Sequence, residues 1–155
     1  MDTFFSQIDL EEAFDAAVCE VTEKTGGIRL RREGAPPKGK VCTVTALFES
    51  GFHTTLALCA DTSFFVRLTQ HMMGGAPGAS PRDVEDFTKE YFNILCGQLA
   101  SILFRPTRIA SRFGVPAFYW GRFRPEGLRE QFALTYSSDQ REGVQLIHLV
   151  SSDLD

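Results

Sequence analysis

Glu90 and Asn93 place a carboxylate and a carboxamide three residues apart, with Asp86 four residues before Glu90 and Gly97 four residues after Asn93. On a helix these positions fall within an arc of about 60°, and each neighbours the next along one side. Ala100 and Ser101 extend that side as a patch of small side chains. A carboxamide accepts and donates hydrogen bonds but is no useful base, whereas an ionised carboxylate only accepts. Such a pair can orient a water molecule and hold a cationic group. It has no neighbouring His, Ser or Cys constellation and no metal-ligand set, so it is not a self-sufficient hydrolase. If this face catalyses a reaction, its partner must bring the remaining groups. Glu-x-x-Asn alone carries little weight, because a solvated helix face yields it readily.

The element that must position these residues is a helix from Ser80 to Pro106. Ser80-Pro81-Arg82-Asp83 supplies an N-cap serine, a proline at the first helical position and an acid that can bond back to the cap. Pro106 cannot continue the hydrogen-bond ladder, so the helix is predicted to close at Phe104-Arg105. At 100° per residue, Phe87, Tyr91, Ile94, Leu95, Leu99 and Ile102 form an apolar arc that should face a core. Gly97 in mid-helix costs about 1 kcal/mol relative to alanine. Close approach of another surface would explain it, whether that of a partner or of the same chain.

The pattern extends beyond the helix. Asp86-x3-Glu90-x2-Asn93 is followed after 22 residues by Pro116. These four positions at this spacing resemble the signature of the CheC/CheX/FliY phosphatases of bacterial chemotaxis. Length, element order and the Met72-Met73-Gly74-Gly75 helix ending are similar to CheX, the short single-site member, so the resemblance covers the whole chain. Two-site relatives carry a second Glu-x-x-Asn. Here Glu12-x-x-Asp15 only half-matches it, so one site is assigned, and Glu12 and Asp15 are taken as surface charges.

The resemblance implies an aspartyl-phosphate phosphatase acting on a phosphorylated, CheY-like receiver domain. It implies that Asn93 orients the attacking water and that Glu90 pairs with the receiver's lysine. These roles agree with what a carboxamide and a carboxylate can do. Asp86 either contacts the partner or holds the helix face. Gly97, Ala100 and Ser101 would permit close approach, and Pro116 would start a strand beside the helix. No cofactor is expected on this chain, whereas Mg2+ is expected on the partner response regulator. The alternative is a non-catalytic module of the same fold that binds or sequesters a phosphorylated receiver. A homodimer is also implied. Phe118-Tyr119-Trp120 could serve its interface or equally the monomer core.

Composition is consistent with this. The chain has 155 residues, 43% hydrophobic and 23% charged, which suits a single domain over 1–155 with a real core. No apolar run approaches the roughly 20 residues of a membrane span, and Met1-Asp2-Thr3-Phe4-Phe5 has no signal-peptide character, so a cytoplasmic location without a membrane partner is expected. A net charge of −4 argues against nucleic acid. Arg29, Arg31, Arg32, Lys38 and Lys40 surround glycines and prolines and read as an exposed connection. Cys19, Cys42, Cys59 and Cys96 have no zinc spacing and read as buried free thiols.

Taken in order, the chain predicts a helix over Ile8–Thr25 and short strand material at Ile28-Arg29-Leu30. Strands follow at Val41–Glu49 and Phe52–Ala60, forming a hairpin around Ser50-Gly51. Asp61 or Thr62 caps a helix that Gly74-Gly75 ends. After the organising helix, a short strand within Pro106–Phe113, a strand at Pro116–Phe123 and a final pair, Glu130–Ser137 with Gly143–Val150, complete the chain. The fold class is α/β (α+β), two-layered, with long helices packed on a largely antiparallel sheet.

Overall fold

A computed structural model describes residues 7–32, 35–50, 54–107 and 112–152. Among these, three helices pack on a seven-stranded antiparallel sheet. The elements are α1 (Gln7–Gly26), β1 (Leu30–Arg32), β2 (Val41–Ser50), β3 (Thr54–Asp61), α2 (Thr62–Met72), α3 (Pro81–Thr107), β4 (Arg112–Phe113), β5 (Ala117–Trp120), β6 (Leu128–Ser138) and β7 (Gly143–Ser151). The sheet order is β1-β6-β7-β3-β2-β4, and β5 pairs with the same strand as β4, namely β2. The expected α+β architecture is therefore the observed one.

Period-two alternation determines which face is buried. Cys42, Val44, Ala46 and Phe48 of β2 lie opposite Ala60, Leu58, Leu56 and Thr54 of β3. Leu56, Leu58 and Ala60 in turn oppose His148, Leu146 and Val144 of β7, which lie opposite Phe132, Leu134 and Tyr136 of β6. Apart from Thr54, these residues form one ladder against the helices, and all are buried. The other face of β2 and β3 is buried as well at Thr43, Thr45, Ala57 and Cys59. The segment after β5 helps cover it: the Thr43 hydroxyl donates to the Gly121 carbonyl at 2.7 Å and accepts from the Phe123 amide at 3.2 Å. Tyr119 stacks on Phe123 with ring centroids 3.8 Å apart.

Several elements differ from the expectation. The first strand is Leu30–Arg32 rather than Ile28–Leu30, because Ile28 is buried and its amide closes the end of α1 on the Thr22 carbonyl. Asp61 flanks α2 but does not cap it with its side chain; its carboxylate accepts from the Gly143 amide at 2.7 Å instead. α3 runs through Pro106 to Thr107, since a proline removes one donor near a helix end without ending helical geometry at once. Gly51 of the predicted hairpin turn lies outside the described residues, as does Phe52 of the strand expected after it.

Asp15 is not a free surface charge. It accepts a 2.6 Å hydrogen bond from the Tyr136 hydroxyl, lies 3.8 Å from the Cys19 sulfur and pairs with Arg32 at 3.9 Å. Its role is to join α1 to β6 and β1. Cys42, Cys59 and Cys96 are buried, whereas Cys19 is only half-buried. Burial, and then the Asp15 carboxylate, push the Cys19 thiol up to about 11. Burial also raises the Cys96 thiol well above its usual range, so neither thiol is poised as a nucleophile.

Candidate functional site

α3 begins with the capping exchange that its sequence predicts. The Ser80 amide donates to the Asp83 carboxylate at 3.0 Å, and the Asp83 amide donates to the Ser80 hydroxyl at 3.1 Å. The core face of the helix is Val84, Thr88, Tyr91, Phe92, Leu95, Cys96 and Leu99. This is rotated from the apolar arc read above. Tyr91, Leu95 and Leu99 belong to it, Phe87 and Ile102 are half-buried, and Ile94 is 42% exposed. Thr88 occupies a core position that side-chain type alone assigns elsewhere, and Cys96 joins it as a buried thiol.

Two contacts orient α3 in the fold. Tyr91 and Thr22 of α1 share a buried hydrogen bond of 2.6 Å. The Trp120 indole N–H of β5 donates to the Glu85 carboxylate at 3.0 Å. Phe118 packs edge-on to core Phe65 at 6.0 Å, while Trp120 is half exposed. The aromatic segment thus contributes both to the core and to the surface beside α3.

The rotation leaves Asp86, Glu90 and Asn93 exposed on the opposite face. They line a groove of about 290 Å³ with Lys89, Phe113, Gly114, Val115 and Pro116. The far wall is the β4–β5 connection, and it is tied down. Phe113 packs on Phe48 at 5.8 Å, the Gly114 amide donates to the Leu47 carbonyl at 2.7 Å, and Pro116 is buried immediately before β5. The spacing from Asn93 to Pro116 therefore has a geometric meaning: it returns the chain to the side of the helix that bears Glu90 and Asn93.

Among the described residues, neither Glu90 nor Asn93 has a side-chain hydrogen bond or ion pair. Asp86 lies 3.8 Å from Arg82, with both side chains well exposed, a contact of small energetic weight. Gly97 is half-buried, and a Cβ built there meets nothing nearer than the Phe113 ring at 4.0 Å. Of the two explanations for that glycine, tight packing within the chain is therefore not the one observed. Ala100 is half-buried and Ser101 exposed, further along α3. The groove brings together Asp86, Glu90 and Asn93; Gly97, Ala100 and Ser101 are not among its lining residues.

Lys89 and the wall residues Phe113 and Val115 were not singled out in the sequence. Lys89 carries a readable signal, standing four residues before Asn93 on the same helix. Phe113 and Val115 have none, because their place depends on how β4 and β5 share β2. No group of three or more His, Cys, Asp or Glu side chains arranged to hold a metal ion occurs among the described residues. Nor, among them, is any helix long and apolar enough to cross a membrane.

No protein-family model matches the sequence, and no curated protein matches it. Solved structures match its fold. A CheX from Desulfovibrio desulfuricans has a TM-score of 0.71 at 14% identity, over 90% of this chain and 98% of its own. A CheX from Vibrio vulnificus has 0.71 at 17%, over 96% and 99%. The structure of a CheX-CheY-BeF3-Mg2+ complex from Borrelia burgdorferi gives 0.74 at 16%, over 93% and 99%. At these identities the likeness is one of fold. The resemblance to CheC/CheX/FliY proteins carried by four residues thus extends to the architecture of nearly the whole chain.

Proposed function

We propose that this protein is an aspartyl-phosphate phosphatase that dephosphorylates a CheY-like response regulator. The observation that carries the reading is the groove. It places an exposed carboxylate and an exposed carboxamide, both without partners among the described residues, on a well-anchored helix opposite a buried proline, in a CheX-like fold. A CheX of this fold has been solved in complex with CheY, BeF3 and Mg2+, which supports a receiver domain as the partner.

An acyl phosphate is already reactive, so what the enzyme must add is mainly the positioning of water. The water oxygen bonds to phosphorus, the P–O bond to the aspartyl carboxylate breaks, and the electron pair leaves with that carboxylate. Both water protons end on the released dihydrogen phosphate. Asn93 accepts from the water with its carboxamide oxygen and donates to a phosphoryl oxygen with its amide. Glu90, one turn away, pairs with the receiver's lysine and fixes the register in which Asn93 enters. Asp86, which lines the same groove, contacts the partner in this reading. The Mg2+ belongs to the receiver. A cytoplasmic location and a homodimer are parts of the same reading.

The test is the decay of a phosphorylated receiver with Mg2+, with and without this protein, beside Asn93→Ala. Acceleration that falls about 100-fold or more in the variant, with binding retained, is the expected outcome. Unchanged decay with phosphorylation-dependent binding would instead make the protein a non-catalytic module that sequesters the receiver.

A further inference from the structure

Lys89 is four residues before Asn93, so the two side chains neighbour each other along α3. Helical geometry puts Lys89 about 40° from Asn93, on the side away from Glu90. Asn93 is thus flanked by a cation on one side and a carboxylate on the other. Lys89 is half-buried and lines the groove with Glu90, Asn93 and the Phe113–Pro116 wall.

A surface lysine on a helix usually pairs with an acid three or four residues away. Lys89 has two such acids among the described residues, Glu85 and Asp86, and pairs with neither. The Glu85 carboxylate accepts the Trp120 indole N–H at 3.0 Å, and the Asp86 carboxylate lies 3.8 Å from Arg82. Among the described residues the Lys89 ammonium has no ion pair. It is also the one cation among the groove's lining side chains, facing two carboxylates, Asp86 and Glu90. A phosphoryl group carrying about two negative charges brings the receiver's Mg2+ and lysine with it, and on this chain's side of the groove Lys89 is the cation placed to offset the Asp86 and Glu90 carboxylates.

We infer that Lys89 is a third member of the site, donating from its ammonium to an oxygen of the receiver's phosphoryl group while Asn93 aligns the water. The inference rests on the phosphatase reading and adds a residue to it. The charge on the transferring phosphoryl group spreads over its equatorial oxygens, and a lysine serves there as a mobile point charge. Because Lys89 makes no ion pair in the free protein, the contact forms only when the partner is bound. Its removal should leave the fold intact.

The experiment compares wild type, Lys89→Gln and Lys89→Arg by two measurements. The first is the rate of receiver dephosphorylation as a function of phosphorylated receiver, which separates kcat from KM. The second is affinity for the receiver with and without beryllofluoride and Mg2+. Lys89→Gln should lower kcat about tenfold to a hundredfold and reduce the preference for the beryllofluoride form. It should leave the melting temperature and binding of the unmodified receiver unchanged, and Lys89→Arg should recover much of the loss. Wild-type kcat and wild-type preference in Lys89→Gln would overturn the inference while the phosphatase reading stands. If wild type does not accelerate decay but Lys89→Gln still loses the beryllofluoride preference, hydrolysis is refuted and the lysine contact is upheld. No binding of either receiver form by wild type would overturn both.

Discussion

Gly97 follows Asn93 by one turn on the same side of α3, and its cost can be set against its surroundings. An alanine Cβ there would meet only the Phe113 ring at 4.0 Å, an ordinary contact. Gly97→Ala should therefore stabilise the protein by about 0.5–1 kcal/mol through helix propensity. It should weaken receiver binding if the helix approaches its partner closely at this point. Chemical denaturation and receiver titration on the same variant test the two halves; a destabilised variant would mean that the helix does not have the room described. The site residues were legible at this scale because their relation is local: Glu90, Asn93 and Asp86 share a helix face whatever the helix packs against. The freedom of Lys89 was not legible. It depends on Trp120, 31 residues later, taking the carboxylate of Glu85. Ile94 misleads for a related reason. Its apolar side chain reads as core, but Thr88 and Cys96 hold core positions and turn the buried face away from it.

The groove exists because α3 and β5 are held at a fixed separation, and the contacts that hold them lie outside it. The buried Thr22–Tyr91 hydrogen bond ties α3 to α1. Burial raises the Tyr91 hydroxyl pKa well above its usual range, so that group remains protonated and able to donate through neutral pH. Tyr91→Phe should cost about 1 kcal/mol, near the net worth of one intramolecular hydrogen bond. In a double-mutant cycle with Thr22→Val the two changes should be non-additive. Additive losses in urea titrations would show that the bond does not couple the helices. Boundaries of helices and long strands were readable within a few residues, because capping at Ser80 and alternation in β2, β3, β6 and β7 are short-range signals. The placement of β4 and β5 end to end along one edge of β2 was not, and neither was the cover that Gly121 and Phe123 provide on the far side of that strand. Both are non-local pairings with no periodic signature.

Across the whole molecule, the ladder of core residues from β2 to β6 contains one titratable imidazole. His148 lies on β7 between Leu56 and Phe132 and is 6% exposed. Its ring is 5.5 Å from that of Phe14 on α1 and 4.9 Å from that of Phe132, and its buried Nδ1 has no hydrogen-bond partner. Helix layer and sheet layer thus meet on a neutral histidine. Burial pushes its pKa from 6.5 down to about 4, because charging it would place a cation among aromatic rings. The sign of the linkage follows. Above pH 6.5 both the folded and unfolded states hold the ring neutral, and it adds no pH dependence. Between 6.5 and about 4 the unfolded chain takes up a proton that the folded chain refuses, so stability falls as the pH falls. The loss from this group approaches about 3 kcal/mol by pH 4. His148→Leu removes the proton uptake, whatever its packing does to the absolute stability. Urea unfolding of both proteins between pH 7.5 and pH 4 should therefore show a shallower acid slope in the variant, with the two curves parallel above pH 6.5. Equal slopes throughout would mean that His148 is protonated in the folded state and that the α1–sheet interface opens to accommodate the charge.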